Sequence, residues 1–122
     1  MSRIEEMNKA LADLKASSSD IEACAVVSVD GLIIASALPQ GLEEERIAAM
    51  SAALLAMGER IAAELQRGDL EQLYVKGKDG YFLSKHAGPH AVLIAMARTD
   101  AKLGLIFFDL NKAAAQIKEC LV

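Results

Sequence analysis

Two histidines and two cysteines are the side chains of this sequence best suited to hold a metal ion or to act as nucleophiles. His86 and His90 flank a turn, and no Cys, Asp or Glu stands at a spacing that would complete a zinc site. Cys24 and Cys120 lie far apart and form no CxxC motif. We therefore expect no metal and no other cofactor. The histidines are interpreted as ordinary strand-end residues and the cysteines as small buried apolar residues.

The sequence lacks the motifs of nucleotide-binding and nucleophilic enzymes. It contains no GxxxxGK[ST] loop, no GxSxG turn and no Ser-His-Asp series. Ser36 and Ser84 fall in predicted strands with nothing beside them to activate a hydroxyl. Gly77, Gly80 and Gly88 are interpreted as turn residues. The sequence therefore favours a protein that has no catalytic residues and is not an enzyme.

Composition narrows the classes of partner. The chain has 122 residues, which predicts one domain over residues 1–122. Residues 1–71 carry 13 acidic and 6 basic side chains, whereas residues 72–122 carry 4 acidic and 7 basic ones. Neither part has the basic, aromatic stripe of a nucleic-acid-binding protein, and no apolar run is long enough for a membrane span. We expect no nucleic-acid partner, no membrane insertion and a cytoplasmic location.

The spacing of apolar residues predicts the element order α-β-β-α-β-β-β-α. Apolar side chains that recur every three or four residues predict helices over 2–16, 43–66 and 103–122. Short apolar runs predict strands over 22–29, 32–37, 70–76, 81–86 and 90–97. Asp30–Gly31 predicts a type I′ hairpin turn, and Lys78–Asp79–Gly80 predicts a second hairpin. Strands joined by tight turns are antiparallel, so the predicted fold class is α+β with a mainly antiparallel sheet.

The predicted middle helix has two apolar faces. One is bulky and contains Ile47, Met50, Leu54, Met57, Ile61 and Leu65; the other is rich in alanine and contains Ala48, Ala49, Ala52, Ala53, Leu55 and Ala56. A helix that is apolar all round must be covered all round. We expect the bulky face to lie on the sheet and the alanine-rich face to pack against a second copy in a C2 dimer. The alternative is that the first or last helix covers the alanine-rich face within the chain.

Three segments resemble the roadblock/LC7 family, and more narrowly its stand-alone prokaryotic members of the MglB type. They are the hairpin VVSVDGLIIAS, the alanine-rich middle helix and the closing segment LGLIFFDLNKAAAQIKECL, and the resemblance extends over residues 2–121. It implies a five-stranded antiparallel sheet in the order 2-1-5-4-3, with the middle helix on one face and the terminal helices on the other. It also implies a homodimer formed through the middle helix and the third strand. On this chain that interface would contain Ala48, Ala52, Leu55, Ala56, Glu59, Leu73 and Val75.

The same resemblance implies a function. Members of the family regulate small Ras-like GTPases or serve as adaptors, so the expected protein is a non-catalytic homodimeric regulator that binds such a GTPase and modulates its nucleotide cycle. The GTPase is expected on the side away from the dimer helices. An arginine supplied to a partner's active site must be exposed on a loop, and Arg98, with Lys102 nearby, is the candidate for partner contact. A purely structural dimerisation scaffold and a PAS- or profilin-like ligand sensor are the alternatives.

Overall fold

The computed structural model describes residues 2–121, and its elements follow the predicted order. The helices are α1 (Arg3–Ser17), α2 (Glu44–Glu64) and α3 (Leu103–Cys120). The strands are β1 (Ile21–Ser28), β2 (Ile33–Ala37), β3 (Leu73–Gly77), β4 (Gly80–His86) and β5 (Ala91–Ala97). All five strands form one antiparallel sheet in the order β2-β1-β5-β4-β3, which confirms the predicted fold. Residue 122, the end of the last predicted helix, and residue 1 lie outside the described residues.

Strand β5 is the centre of the sheet and is buried on both faces. It pairs with β1 on one side and with β4 on the other. Leu93 and Ala95 lie on the face of the sheet that α1 and α3 cover, whereas Val92 and Ile94 lie on the face that α2 covers. A strand covered on both sides needs apolar residues at every position, which explains why this segment does not alternate with polar residues.

The terminal helices lie together on one face of the sheet. The Ser2 hydroxyl accepts a hydrogen bond from the Glu5 backbone N–H at 3.1 Å, which caps α1. Each helix turns a single apolar stripe inward, and the large side chains of the two stripes that are fully buried are Met7, Leu11, Ile106, Leu110 and Ile117. Because α1 and α3 also pack on each other, neither is available to cover α2.

The β1–β2 hairpin differs from the prediction in its turn. The Ser28 carbonyl accepts a hydrogen bond from the Gly31 N–H at 3.0 Å, and Gly31 has a φ of +90°. Asp30 keeps a negative φ, so the predicted type I′ turn, which needs a positive φ at both central residues, is wrong. Gly31 also lies against α2, since a Cβ there would be 3.2 Å from the Ala49 Cα. The loop is therefore shaped partly by the helix above it.

Strand β3 starts later than predicted. The predicted strand includes Leu70, but β3 begins at Leu73. A Cβ placed on Gly58 of α2 would be 3.4 Å from side-chain atoms of both leucines. The segment that leads into β3 therefore folds onto α2, where Leu70 joins the core, and the chain becomes extended only afterwards.

Helix α2 turns toward the sheet the side that lies between its two predicted apolar faces. Ser51 is buried on that side and Ile47 packs against the core, while Ala49, Ala53 and Ala56 of the alanine-rich face are exposed. Ala48 and Leu55 are buried in the core beneath the helix, whereas Met50, Met57 and Ile61 are 58%, 54% and 51% exposed. The prediction that the bulky face lies on the sheet is wrong. Both faces are apolar, so their periodicity does not distinguish them. The small side chain of Ala48 lets the helix backbone lie close to the sheet, and close packing favours that orientation.

Candidate functional site on the outer face of α2 and the edge of β3

The outer face of α2 is a row of large apolar side chains directed away from the core. It is defined by Met50, Met57, Ile61 and Leu65, each of which is exposed by more than half. Contiguous exposed apolar surface of this kind marks an interaction site. α2 has 21 residues, yet none of the helices within residues 2–121 is long and apolar enough to cross a membrane. Because its large apolar side chains are contiguous and exposed, the row is a candidate surface for binding another protein.

A groove runs beside this row, between α2 and the sheet. α2 lies mainly over β1 and β2, so the same face of β3, of β4 and of the end of β5 at Met96 is only partly covered. The resulting groove has a volume of about 730 Å³ and is lined mainly by apolar side chains, among them Leu42, Met50, Leu54, Val75, Phe82 and Met96. Its shape and lining suit an apolar helix or side-chain cluster better than a polar ligand.

The edge of the sheet next to the groove is open. β3 is the last strand of the sheet and pairs only with β4. Alternate residues of an edge strand direct their backbone N–H and C=O groups away from the sheet, where they can pair with another strand. Tyr74 and Val75 are exposed on this strand, on opposite faces of the sheet. The outer face of α2, the groove and the β3 edge together form one continuous candidate interface.

The structure places the predicted interface residues in different environments. Ala48 and Leu55 are buried within the chain's own core, so neither offers surface to a partner and their prediction as interface residues is wrong. Ala52 is half-buried at the side of the helix that faces the sheet. The Glu59 Oε1 lies 3.3 Å from the Nε2 of His86, which ties α2 to β4 within the chain.

The other predicted interface residues stay accessible. Ala56 and Val75 are exposed, and Leu73 is half-buried at the start of the edge strand. Val75 lines the groove on the α2 side of the sheet. These three residues therefore remain predicted interface residues. The exposed bulky side chains of α2, which the apolar spacing predicts to lie on the sheet, are an addition to that surface.

The histidines do not assemble a metal site. His86 faces α2, while His90 is exposed in the turn before β5. Within residues 2–121, no three His, Cys, Asp or Glu side chains come close enough together to hold a metal ion. The His86 Nδ1 and the Ser84 Oγ are buried without a hydrogen-bond partner among these residues, a detail that the sequence does not indicate.

Both cysteine thiols are less acidic than an exposed thiol. Burial raises the pKa of Cys24 to about 11, and its Sγ donates to the Leu11 carbonyl oxygen at 3.5 Å. Burial also raises the pKa of Cys120, with Glu6 nearby acting in the same direction. Because the thiolate is the reactive form, neither residue has the environment of a nucleophile. Cys24 is buried as predicted, whereas Cys120 is only half-buried.

The predicted partner-contact residues lie in the loop between β5 and α3. The Arg98 Nε lies 3.3 Å from the Asp100 Oδ1, and both side chains are largely exposed. The Arg98 backbone N–H donates to the Asp20 carbonyl at 2.9 Å, which fixes the start of the loop. Lys102 is exposed at the N-terminal end of α3. The loop thus presents two cations, one of which has a carboxylate partner.

This combination defines a small α+β interaction domain: a sheet with a helix pair on one face and one outward-facing apolar helix on the other. The sequence model of the Roadblock/LC7 domain matches residues 7–97, and the chain belongs to the Roadblock/LC7 family. An uncharacterized protein of Methanocaldococcus jannaschii is 39% identical over 98 residues, which cover 80% of this chain and 85% of that protein. The family resemblance predicted from the sequence is confirmed.

Solved structures share the fold across almost the whole chain. An MglB with a tetrameric arrangement superposes with a TM-score of 0.88 at 17% identity, covering 98% of this chain and 90% of that one. MglB of Myxococcus xanthus superposes with a TM-score of 0.86 at 18% identity, covering 95% of this chain and 94% of that one. At these identities the likeness establishes the fold, and the function must be argued from the surface of this chain.

Proposed function

We propose that this chain is a non-catalytic homodimeric adaptor that binds a small Ras-like GTPase and modulates its nucleotide cycle. The observation that carries the proposal is the outer face of α2, where four large apolar side chains remain more than half exposed beside an open strand edge. Exposed apolar side chains of this kind mark a surface that a partner covers on binding. Membership of the Roadblock/LC7 family supports the choice of a GTPase regulator.

The dimer would use the β3 edge and α2 together. Two β3 strands that pair across a two-fold axis would extend the sheet to ten strands and bring the two α2 helices side by side. Each helix would then cover the groove and the outer face of its partner, burying Met50, Met57 and Ile61 along with Val75. The arrangement is isologous, so one surface satisfies both protomers and the assembly closes at two subunits.

Regulation of the GTPase would occur by binding rather than by chemistry. The proposed contact surface is the face that carries α1 and α3, with the loop of Arg98 and Lys102 at its edge. Contact there would reposition the switch loops of the GTPase, whose own residues carry out hydrolysis. Arg98 would have to leave Asp100, 3.3 Å away, before it could reach a bound nucleotide.

The test uses the full chain and a purified Ras-like GTPase from the same genome. Binding is measured by calorimetry, and hydrolysis is measured under single-turnover conditions with and without the chain. Arg98→Ala is compared with Arg67→Ala, a matched change at an exposed arginine just beyond α2. Binding with an altered nucleotide cycle supports the proposal, and binding with no change in turnover indicates a structural scaffold. Absence of binding to every such GTPase of that genome refutes it.

A further inference from the structure

The first half of α3 carries two large apolar side chains that the core does not use. Leu105 and Phe108 are 62% and 68% exposed and lie one helical turn apart, so they share a face of the helix. Gly104 is exposed beside them, and a Cβ placed there would meet no atom within 4 Å. These residues lie on the opposite side of the sheet from α2. The proposed α2–β3 dimer would therefore leave them uncovered.

This part of α3 packs on aromatic residues of the sheet. The rings of Phe107 and Tyr74 meet edge to face with their centroids 6.1 Å apart, and Tyr74 lies 6.1 Å from Tyr81. Aromatic contacts of this geometry add to the stabilisation gained by burial alone. Three of the five aromatic residues of the chain, Tyr74, Tyr81 and Phe107, thus gather where α3 crosses β3 and β4.

Lysines border the same region. The Lys76 Nζ lies 5.3 Å from the centre of the Tyr81 ring, and Lys112 is exposed one turn beyond Phe108 on the same face of α3. Lys102 stands at the start of the helix. Across residues 2–121, none of these lysines has a carboxylate within 4.0 Å. Asp109 is the acidic residue of α3 nearest in sequence to Phe108 and Lys112, and it is half-buried.

We propose that this region, named the α3 surface and defined by Tyr74, Lys76, Leu105, Phe108 and Lys112, is a docking site for an acidic amphipathic helix of a partner protein. Such a helix would cover Leu105 and Phe108 with apolar side chains one turn apart and place carboxylates beside the unpaired lysines. The complementary charge would speed encounter and fix the orientation of the bound helix.

The same lysines argue against a second copy of this chain as the occupant. A symmetric contact through the α3 surface would place the uncompensated lysines of both copies in one interface, and like charges in an interface are repulsive. A partner that carries carboxylates at these places has no such conflict. Leu105, Phe108 and Lys112 lie away from the proposed dimer interface, whereas Tyr74 and Lys76 belong to β3 and adjoin it. The α3 surface lies on the same face of the sheet as the proposed GTPase contact, and the peptide test does not need the GTPase.

The test uses the full ¹⁵N-labelled chain and a synthetic helical peptide of about four turns. The peptide carries leucines along one face and glutamates elsewhere; a matched peptide replaces each glutamate with lysine. The acidic peptide should shift the amide resonances of Leu105, Phe108 and Lys112, whereas the basic peptide should not. The affinity should fall about tenfold or more for Phe108→Ser and for Lys112→Glu.

The matched controls lie on α1, where Ile4→Ser and Lys9→Glu alter exposed side chains of the same kinds. Neither control should change the affinity. The proposal is overturned if the acidic peptide fails to bind at about 1 mM, if both peptides bind equally, or if the shifts map to the α2 groove. It is also overturned if the chain self-associates through this surface, as shown by oligomers that Phe108→Ser disrupts while the α2 dimer persists.

Discussion

Met57→Glu is the sharpest perturbation of the proposed dimer. Met57 is 54% exposed on the outer face of α2, so a glutamate there is solvated in the single chain. The free energy of unfolding of that chain should change by less than about 0.5 kcal/mol. In the dimer, the same position would lie against the second α2. The substitution therefore separates assembly from folding.

The expected magnitude follows from the exposed fraction of the side chain. Complete burial of a methionine contributes about 1.5–3 kcal/mol, so covering the exposed half contributes about 1 kcal/mol. A glutamate held in the interface without a partner adds a desolvation cost of about 2 kcal/mol. Both effects occur in each protomer, so the dimer should lose about 6 kcal/mol. The dissociation constant should rise about 10⁴-fold.

The assay is light scattering coupled to size exclusion, together with sedimentation over a range of concentrations. The wild-type chain should have the mass of a dimer and Met57→Glu that of a folded monomer, as judged by circular dichroism. Ile4→Glu is the matched control, because Ile4 is 47% exposed on α1, on the other side of the sheet. This control should remain a dimer.

Two results would refute the reasoning. A Met57→Glu protein that stays dimeric at low micromolar concentration would show that the outer face of α2 is not the interface. A dimer lost in Ala56→Glu but kept in Met57→Glu would place the contact on the alanine side of the helix. Ala48→Glu distinguishes surface from core: because Ala48 is fully buried, this change should unfold the chain instead of producing a folded monomer.

Three further predictions concern folding and reactivity. Gly31→Ala and Gly41→Ala both place a Cβ on a backbone of nearly equal positive φ, but only the Cβ at position 31 meets an atom of α2, at 3.2 Å. Gly41→Ala should lower the free energy of unfolding, measured in urea, by about 1 kcal/mol and Gly31→Ala by about 1 kcal/mol more; equal losses would contradict the close contact. Cys24, whose pKa burial raises to about 11, should react with a disulfide reagent at pH 8 only as fast as the chain unfolds, whereas Cys120 should react in the folded state. Equal reaction rates of the two thiols would show that Cys24 is accessible. Ser84→Ala removes a buried hydroxyl without a partner among the described residues, so the free energy of unfolding should stay equal or rise by up to about 1 kcal/mol, and a clear loss would reveal a hydrogen bond to that hydroxyl.

The element order was predictable because its signals are local. Each strand is a short apolar run bounded by turn residues, and each terminal helix has one apolar stripe, so a window of a few residues contains the information. The family resemblance supplied the strand order, which no local pattern specifies. The type of the first turn was predicted wrongly, because Gly31 also has to accommodate α2, a neighbour that is distant in sequence.

Long-range contacts within the site were not predictable in the same way. The pair of Glu59 and His86 joins α2 to β4, and the pair of Tyr74 and Phe107 joins β3 to α3. Residues so far apart in the sequence meet only because the sheet order places their elements side by side. No periodicity or spacing along the chain indicates such a meeting.

The sequence by itself determined that α2 has two apolar faces and therefore needs covering on both sides, because the composition of a helix face follows directly from residue spacing. It did not determine which face lies on the sheet, since either one could supply apolar contact. The tertiary structure decided that question. Small side chains such as Ala48 let the helix lie close to β1 and β5, and the bulky Met50, Met57 and Ile61 remain exposed on its other side.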